Sequence, residues 1–154
     1  MSDQKSDFWG YLKRFTLTHV LAYLACGLLF MNLMSYSQEF ANNESFAHFR
    51  PLDSWIVRTA VIFQFLRGAL FAVILYPFRK TISEQRWGWL ILFGVIYGLT
   101  GLGAVNASSG SIEGLIYTEI SLKEHLIGMP EVITQALAFS ILFWLWERRA
   151  ARRT

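Results

Sequence analysis

A chain of 154 residues suits one domain, yet 54% of it is hydrophobic, 16% aromatic and only 16% charged, against a charged share of about 25% in ordinary soluble proteins. A soluble fold of this size keeps much of its surface wet, so the composition argues against a water-exposed globule and makes lipid the simplest missing cover. The net charge is +3, but the basic residues sit in short clusters beside apolar runs, which speaks for membrane topology rather than nucleic-acid binding.

The first apolar run covers about residues 15–34, and its readily ionisable side chain is His19. Ser35-x-Ser37 resembles a signal-peptidase site. The run of about 20 apolar residues nevertheless exceeds a usual signal core, so the segment is expected to stay as a span. Cys26 lies inside it and, as the single cysteine, forms no intrachain disulfide and reports no redox compartment. The following loop, about 35–54, places Tyr36, Phe40, Phe46 and Phe49 at helical spacings among polar residues.

The second run covers about residues 55–78, opens after Pro51, Asp53 and Ser54, and contains Arg58, Gln64 and Arg67, with Pro77 near its exit. The third, about 87–105, has no charge and carries Gly94 and Gly98 four apart, then Gly101 and Gly103. Small residues at this spacing let helix backbones approach closely in lipid, here against another span of the chain or the same helix of a second copy. In the next loop, about 106–128, Ile112, Leu115, Ile116, Ile120, Leu122, Leu126 and Ile127 fall on one helical arc, interrupted by Glu119 and Lys123. Those two are spaced to pair at i,i+4. The segment is expected to lie on the outer membrane surface or cap the bundle, a plain ordered loop being the competing reading. The fourth run covers about 130–146 and has Glu131 and Gln135 one turn apart near its start.

Each run has roughly the 17–25 residues a helix needs to cross the hydrocarbon, and helices are the fold that leaves no backbone amide bare in lipid. The expected fold is all-α: a four-span transmembrane helical bundle with a partly helical outer cap, one integral membrane domain over 1–154. Lys5, Lys13, Arg14, Arg79, Lys80, Arg86, Arg148, Arg149, Arg152 and Arg153 fall on one side, and Arg50 and Lys123 on the other. This asymmetry predicts an inner, cytoplasmic membrane with both termini cytoplasmic.

Arg67 carries the functional expectation. It stands about twelve residues from either end of its run, near the midplane, where an arginine costs about 2.5 kcal/mol or more and is read as functional by default. Glu131 lies at the outer edge of its own span, roughly 15 Å shallower at 1.5 Å per residue. No carboxylate of the chain is therefore level with Arg67. Compensation comes from neutral acceptors (Gln64, Tyr23, Tyr97, Thr100, Gln135 or glycine-exposed carbonyls), from a wet cavity or anionic ligand, or from a carboxylate of another protein. The candidate ligand-binding set is Arg67, Gln64, Tyr97 and Gln135. Arg58 matches the depth of Glu131, making these two a candidate ion pair or proton site. His19, His48 and His125, even with Glu44 or Glu124 nearby, fall short of the three or four ligands of a metal site, so no metal and no cofactor is expected. The sequence also has no phosphate loop and no readable nucleophile constellation. The expected role is binding, transport or assembly around the Gln64–Arg67 stripe, with an anionic or polar small ligand. The rival is a membrane-embedded enzyme or cofactor-bearing electron carrier using Glu131, His125 or His19.

Overall fold

The computed structural model describes residues 2–34, 50 and 53–151. The aromatic loop carrying Tyr36, Phe40, Phe46 and Phe49, and His48 with it, lies outside the described residues. Within them the regular structure is entirely helical: α1 (Ser2–Leu33), α2 (Trp55–Arg58), α3 (Ala60–Leu75), α4 (Arg79–Glu84), α5 (Gly88–Tyr97), α6 (Ile112–Tyr117), α7 (Leu122–Ile127) and α8 (Met129–Ala151), with a 3₁₀ turn at Tyr76–Phe78 and a π-helical turn at Gly98–Leu102.

Three helices are long and apolar enough to cross a membrane: Asp7–Leu33, Ala60–Glu84 and Leu122–Ala151. The stretch Gly88–Leu102 is apolar but shorter, about 22 Å at 1.5 Å per residue against about 30 Å of hydrocarbon. Its C-terminal end loosens where glycines gather. Gly103 N–H donates to the Gly98 carbonyl at 2.8 Å, a π-type bond that widens the last turn, and the helix stops at Leu102.

The helices depart from the sequence expectation in other ways. α1 starts well before its apolar run because its polar approach has partners: Arg14 pairs with Glu147 of α8, and Asp7 with Arg79. The second run is broken at Thr59, whose hydroxyl donates to the Trp55 and Ile56 carbonyls and separates α2 from α3. Pro77 does not end the helix. It lacks an N–H to donate, so the chain takes a 3₁₀ turn at Tyr76–Phe78 and resumes as α4. The arc expected across 112–127 splits into α6 and α7 around an extended link at 118–121. Glu119 lies in that link, so it and Lys123 do not share a helical face, and the i,i+4 pairing is not made.

α1 is the central post. It packs against α3 and α8, and α8 packs in turn against α5, giving the lateral order α3, α1, α8, α5. The α1–α8 contact is aromatic: Phe15 meets Phe139 and Phe143 edge-on at 4.8 Å, and Tyr11 meets Phe143 at 5.4 Å. Such pairs contribute about 0.5–1.5 kcal/mol each beyond their buried area. The α1–α3 contact depends on one glycine: a Cβ at Gly68 would stand 3.1 Å from the His19 ring and 3.3 Å from the Thr16 Cα. Gly94 and Gly98 have no such role inside the chain, since nothing lies within 4 Å of where their Cβ atoms would be. At one end of the bundle, the Trp144 indole N–H donates to the Gln85 carbonyl at 3.1 Å. A Cβ at Gly88 would collide with the Ile82 carbonyl at 1.7 Å, so glycine is what allows the sharp α4–α5 corner.

Candidate functional site

A cavity of about 460 Å³ opens between the helices. α1 contributes His19; α3 contributes Arg67 and Phe71; α5 and its π turn contribute Ile96, Tyr97, Thr100 and Gly101; α8 contributes Glu131, Gln135 and Phe139. Residues 108–110 and α7, with His125, form a roof over one end. The walls are largely apolar and carry a few convergent polar groups, the usual character of a small-molecule site.

The back wall is closely packed. His19 is buried and held edge-on against Phe139, with ring centroids 5.6 Å apart, and against Phe71 at 6.0 Å. Its Nε2 stands 3.3 Å from the Gln64 side-chain oxygen. Gln64 therefore orients the imidazole from outside the lining. Arg67 lies on the open side. It is exposed, its guanidinium sits over the Phe71 ring at 5.3 Å, and among the described residues no carboxylate reaches ion-pair distance of it.

Register along α1 sets the depth of the site. Gln64 and Gly68 oppose His19. The Glu131 carboxylate opposes Gly27, where a Cβ would stand 4.0 Å from its Oε1. The two levels are eight residues apart on α1, about 12 Å. Arg67 and Glu131 therefore face one elongated cavity from different depths. Their convergence on one space was not expected from the sequence. In the first turn of α8, Glu131 also has the favourable siting that a helix N-terminus gives an anion.

The roof is built from local bonds. Ser121 and Glu124 form a reciprocal capping box at the start of α7: the Glu124 N–H donates to Ser121 Oγ, and the Ser121 N–H donates to the Glu124 carboxylate at 2.9 Å. Ser111 caps α6, its Oγ accepting the Gly114 N–H at 2.9 Å. The turn at 108–110 is tied to α7 twice. Ser109 Oγ donates to the Glu124 carbonyl at 2.9 Å, and the Gly110 N–H donates to His125 Nδ1 at 3.0 Å. Gly110 takes φ of 85°, a conformation that glycine adopts without strain. His125 is only 3% exposed. Because Nδ1 accepts from a backbone amide, the neutral ring carries its proton on Nε2, and that nitrogen is buried without a hydrogen-bond partner among the described residues. A buried donor left unsatisfied costs about 1–3 kcal/mol.

Of the residues expected from sequence, Arg67, Tyr97, Gln135 and Glu131 line this cavity and Gln64 stands directly behind it. Arg58 is exposed and does not line the cavity. Sequence reasoning treated His19 and His125 as unrelated weak signals, yet both line the one space. No group of three His, Cys, Asp or Glu side chains among the described residues could hold a metal ion. No family model matches the chain, and neither does any curated protein or any solved structure.

Proposed function

We propose that the protein is a four-span integral protein of the cytoplasmic membrane, with both termini inside, that binds a small anionic or polar molecule in the Arg67 cavity and acts by binding or carriage. The observation that carries this reading is an arginine that is charged, faces largely apolar walls and has no carboxylate partner among the described residues. A guanidinium in that setting gains most from a ligand oxyanion, which its planar fork can meet with two parallel hydrogen bonds.

The four-span reading takes in the short Gly88–Leu102 stretch as the third crossing. Its start sits beside the ends of α1 and α8 through the Trp144–Gln85 and Arg14–Glu147 contacts. Its other end leads to the roof over the cavity. A short apolar helix is accommodated by local thinning of the bilayer. Reporter fusions test the orientation: the C-terminus and the 78–87 loop should report cytoplasm, and a fusion after Ser109 should report the outside. An exported C-terminal reporter refutes it. Gly94 and Gly98, open within the chain, are read as a contact for a second copy. Gly94→Leu should then lower the cross-linked dimer fraction in membranes.

Binding is tested on purified protein with a panel of anionic and neutral amphiphiles by native mass spectrometry. Arg67→Lys keeps the charge but loses the fork, and should weaken the bound anion by about tenfold or more, while Arg67→Gln should abolish it. If Arg67→Gln binds every ligand as the parent protein does, the arginine is only structural and the reading fails.

A further inference from the structure

Three features of the cavity point to the route by which it fills. The first is its open side. The helices run α3, α1, α8, α5 in space, and α3 and α5, at the two ends of that order, do not pack along one another. Arg67 and Phe71 stand on one post of the gap, and Tyr97, Thr100 and Gly101 on the other. The posts are accessible, Arg67 and Thr100 being exposed, whereas His19, Ala136 and Phe139 behind them are buried. In a bilayer, a gap between two apolar helices at the edge of the bundle faces lipid.

The second feature is the roof. Residues 108–110 and α7 close the outer end through the Gly110–His125 and Ser109–Glu124 bonds. Above them the cap turns apolar side chains outward: Ile112, Leu115, Ile116, Leu122 and Leu126 are all exposed. A cap of this kind rests on a membrane surface with its apolar face in the acyl boundary, which sets the roof at headgroup level and the gap just beneath it. The third feature is the α5 post. It ends in a π turn, a distortion frequent at functional sites, and Thr100 and Gly101 of that turn line the cavity.

From these we infer that the ligand is a lipid-type amphiphile of the outer leaflet that enters sideways between α3 and α5. Its oxyanion head, phosphate or carboxylate, is held by Arg67, and its acyl chain lies out through the gap. The inference rests on the membrane-spanning, anion-binding reading above and adds the ligand class and the path. The Arg67 guanidinium sits over the Phe71 ring, on the open side of the cavity.

The experiment places the full chain in nanodiscs containing phosphatidylglycerol with a photoactivatable group on its acyl chain, and maps the cross-links by mass spectrometry. Labels are expected on α3 and α5 around Phe71, Ile96 and Tyr97, and should fall about tenfold or more in Arg67→Gln, the loss of a charge-assisted contact. Thr100→Trp narrows the gap without touching the arginine. It should cut labelling while the protein keeps the parent's thermal melt in detergent. Glycerol phosphate and inorganic phosphate, added from water, are the competing arms. If either displaces the lipid label, or binds Arg67 as tightly as the lipid does, the ligand is a soluble oxyanion and the lateral route is overturned, although the anion site itself stands. Labels spread evenly over lipid-facing helices, unchanged in Arg67→Gln, also overturn it.

Discussion

The Arg14–Glu147 pair allows a quantitative test of what fastens α1 to α8. Arg14 Nε donates to one carboxylate oxygen of Glu147 at 2.7 Å and its Nη2 to the other at 3.0 Å, the bidentate geometry that makes such pairs both stronger and more directional. The two side chains are 21% and 8% exposed, so removing either partner leaves the other charge mostly desolvated. Breaking a buried pair in this way costs about 3–5 kcal/mol, and the partial exposure of Arg14 favours the lower end, about 3 kcal/mol. For a chain of this size about 2–4 °C follow from each kcal/mol, so Glu147→Gln should lower the melting temperature by roughly 6–12 °C. Arg14→Lys should lose much of this, since an ammonium cannot form the fork. The double change Arg14→Met with Glu147→Leu should recover most of the loss, because an apolar pair of similar volume is often neutral or better. The assay is thermal unfolding in detergent followed by tryptophan fluorescence, with six tryptophans as reporters. A double-mutant cycle should return a coupling energy near the upper end of the about 0.5–3 kcal/mol seen for contacting residues. Strictly additive single changes, or a Glu147→Gln shift below about 1 °C, would refute the view that this contact fastens the two helices.

Three further outcomes follow from the packing. Tyr11 is fully buried and its hydroxyl has no partner among the described residues, while its ring packs against Tyr76 and Phe143. Tyr11→Phe should therefore be neutral or raise stability by up to about 1–3 kcal/mol, and a clear drop in melting temperature would show that the hydroxyl is bonded. Gly88→Ala must push the Ile82 carbonyl away and should cost about 1–3 kcal/mol or more, as overpacking does; a parent-like melt would mean that the α4–α5 corner is looser than drawn. Ser121→Ala removes the capping box of α7 and should cost about 1 kcal/mol. Hydrogen exchange should speed up at the amides of 122–127, and unchanged exchange there would mean that the roof does not depend on its cap.

What could be read from the chain was largely what lies along one helix. Apolar run length located α1, α3 and α8, and the same reasoning placed Arg67 mid-helix with no carboxylate at its level. It also selected Tyr97, Gln135 and Glu131, which line the cavity. One overlooked feature was legible. Ser121-x-x-Glu124 is a capping-box signature, and reading it would have split the arc across 112–127 into two helices.

The unread part concerns relations between helices. Arg14 counted only as a basic residue of an inner tail, because its partner is 133 positions away and nothing local marks the register of α1 on α8. The glycine pattern misled for a related reason. Gly94 and Gly98 have the spacing of a packing motif, yet the close approach of α1 to α3 occurs at Gly68, a lone glycine matched to Thr16 and His19. A backbone contact needs one missing Cβ at the crossing point, and where helices cross depends on side chains far apart in sequence, as Phe15 with Phe139 and Phe143 shows for α1 and α8. The convergence of His19 and His125 on one cavity has the same origin. His19 is carried by the α1–α3 crossing, and His125 by a turn that bends back because Gly110 accepts a positive φ and donates its amide to the ring. Sequence depth could say that Arg67 needed a partner. The crossings decided that it faces an open-sided cavity.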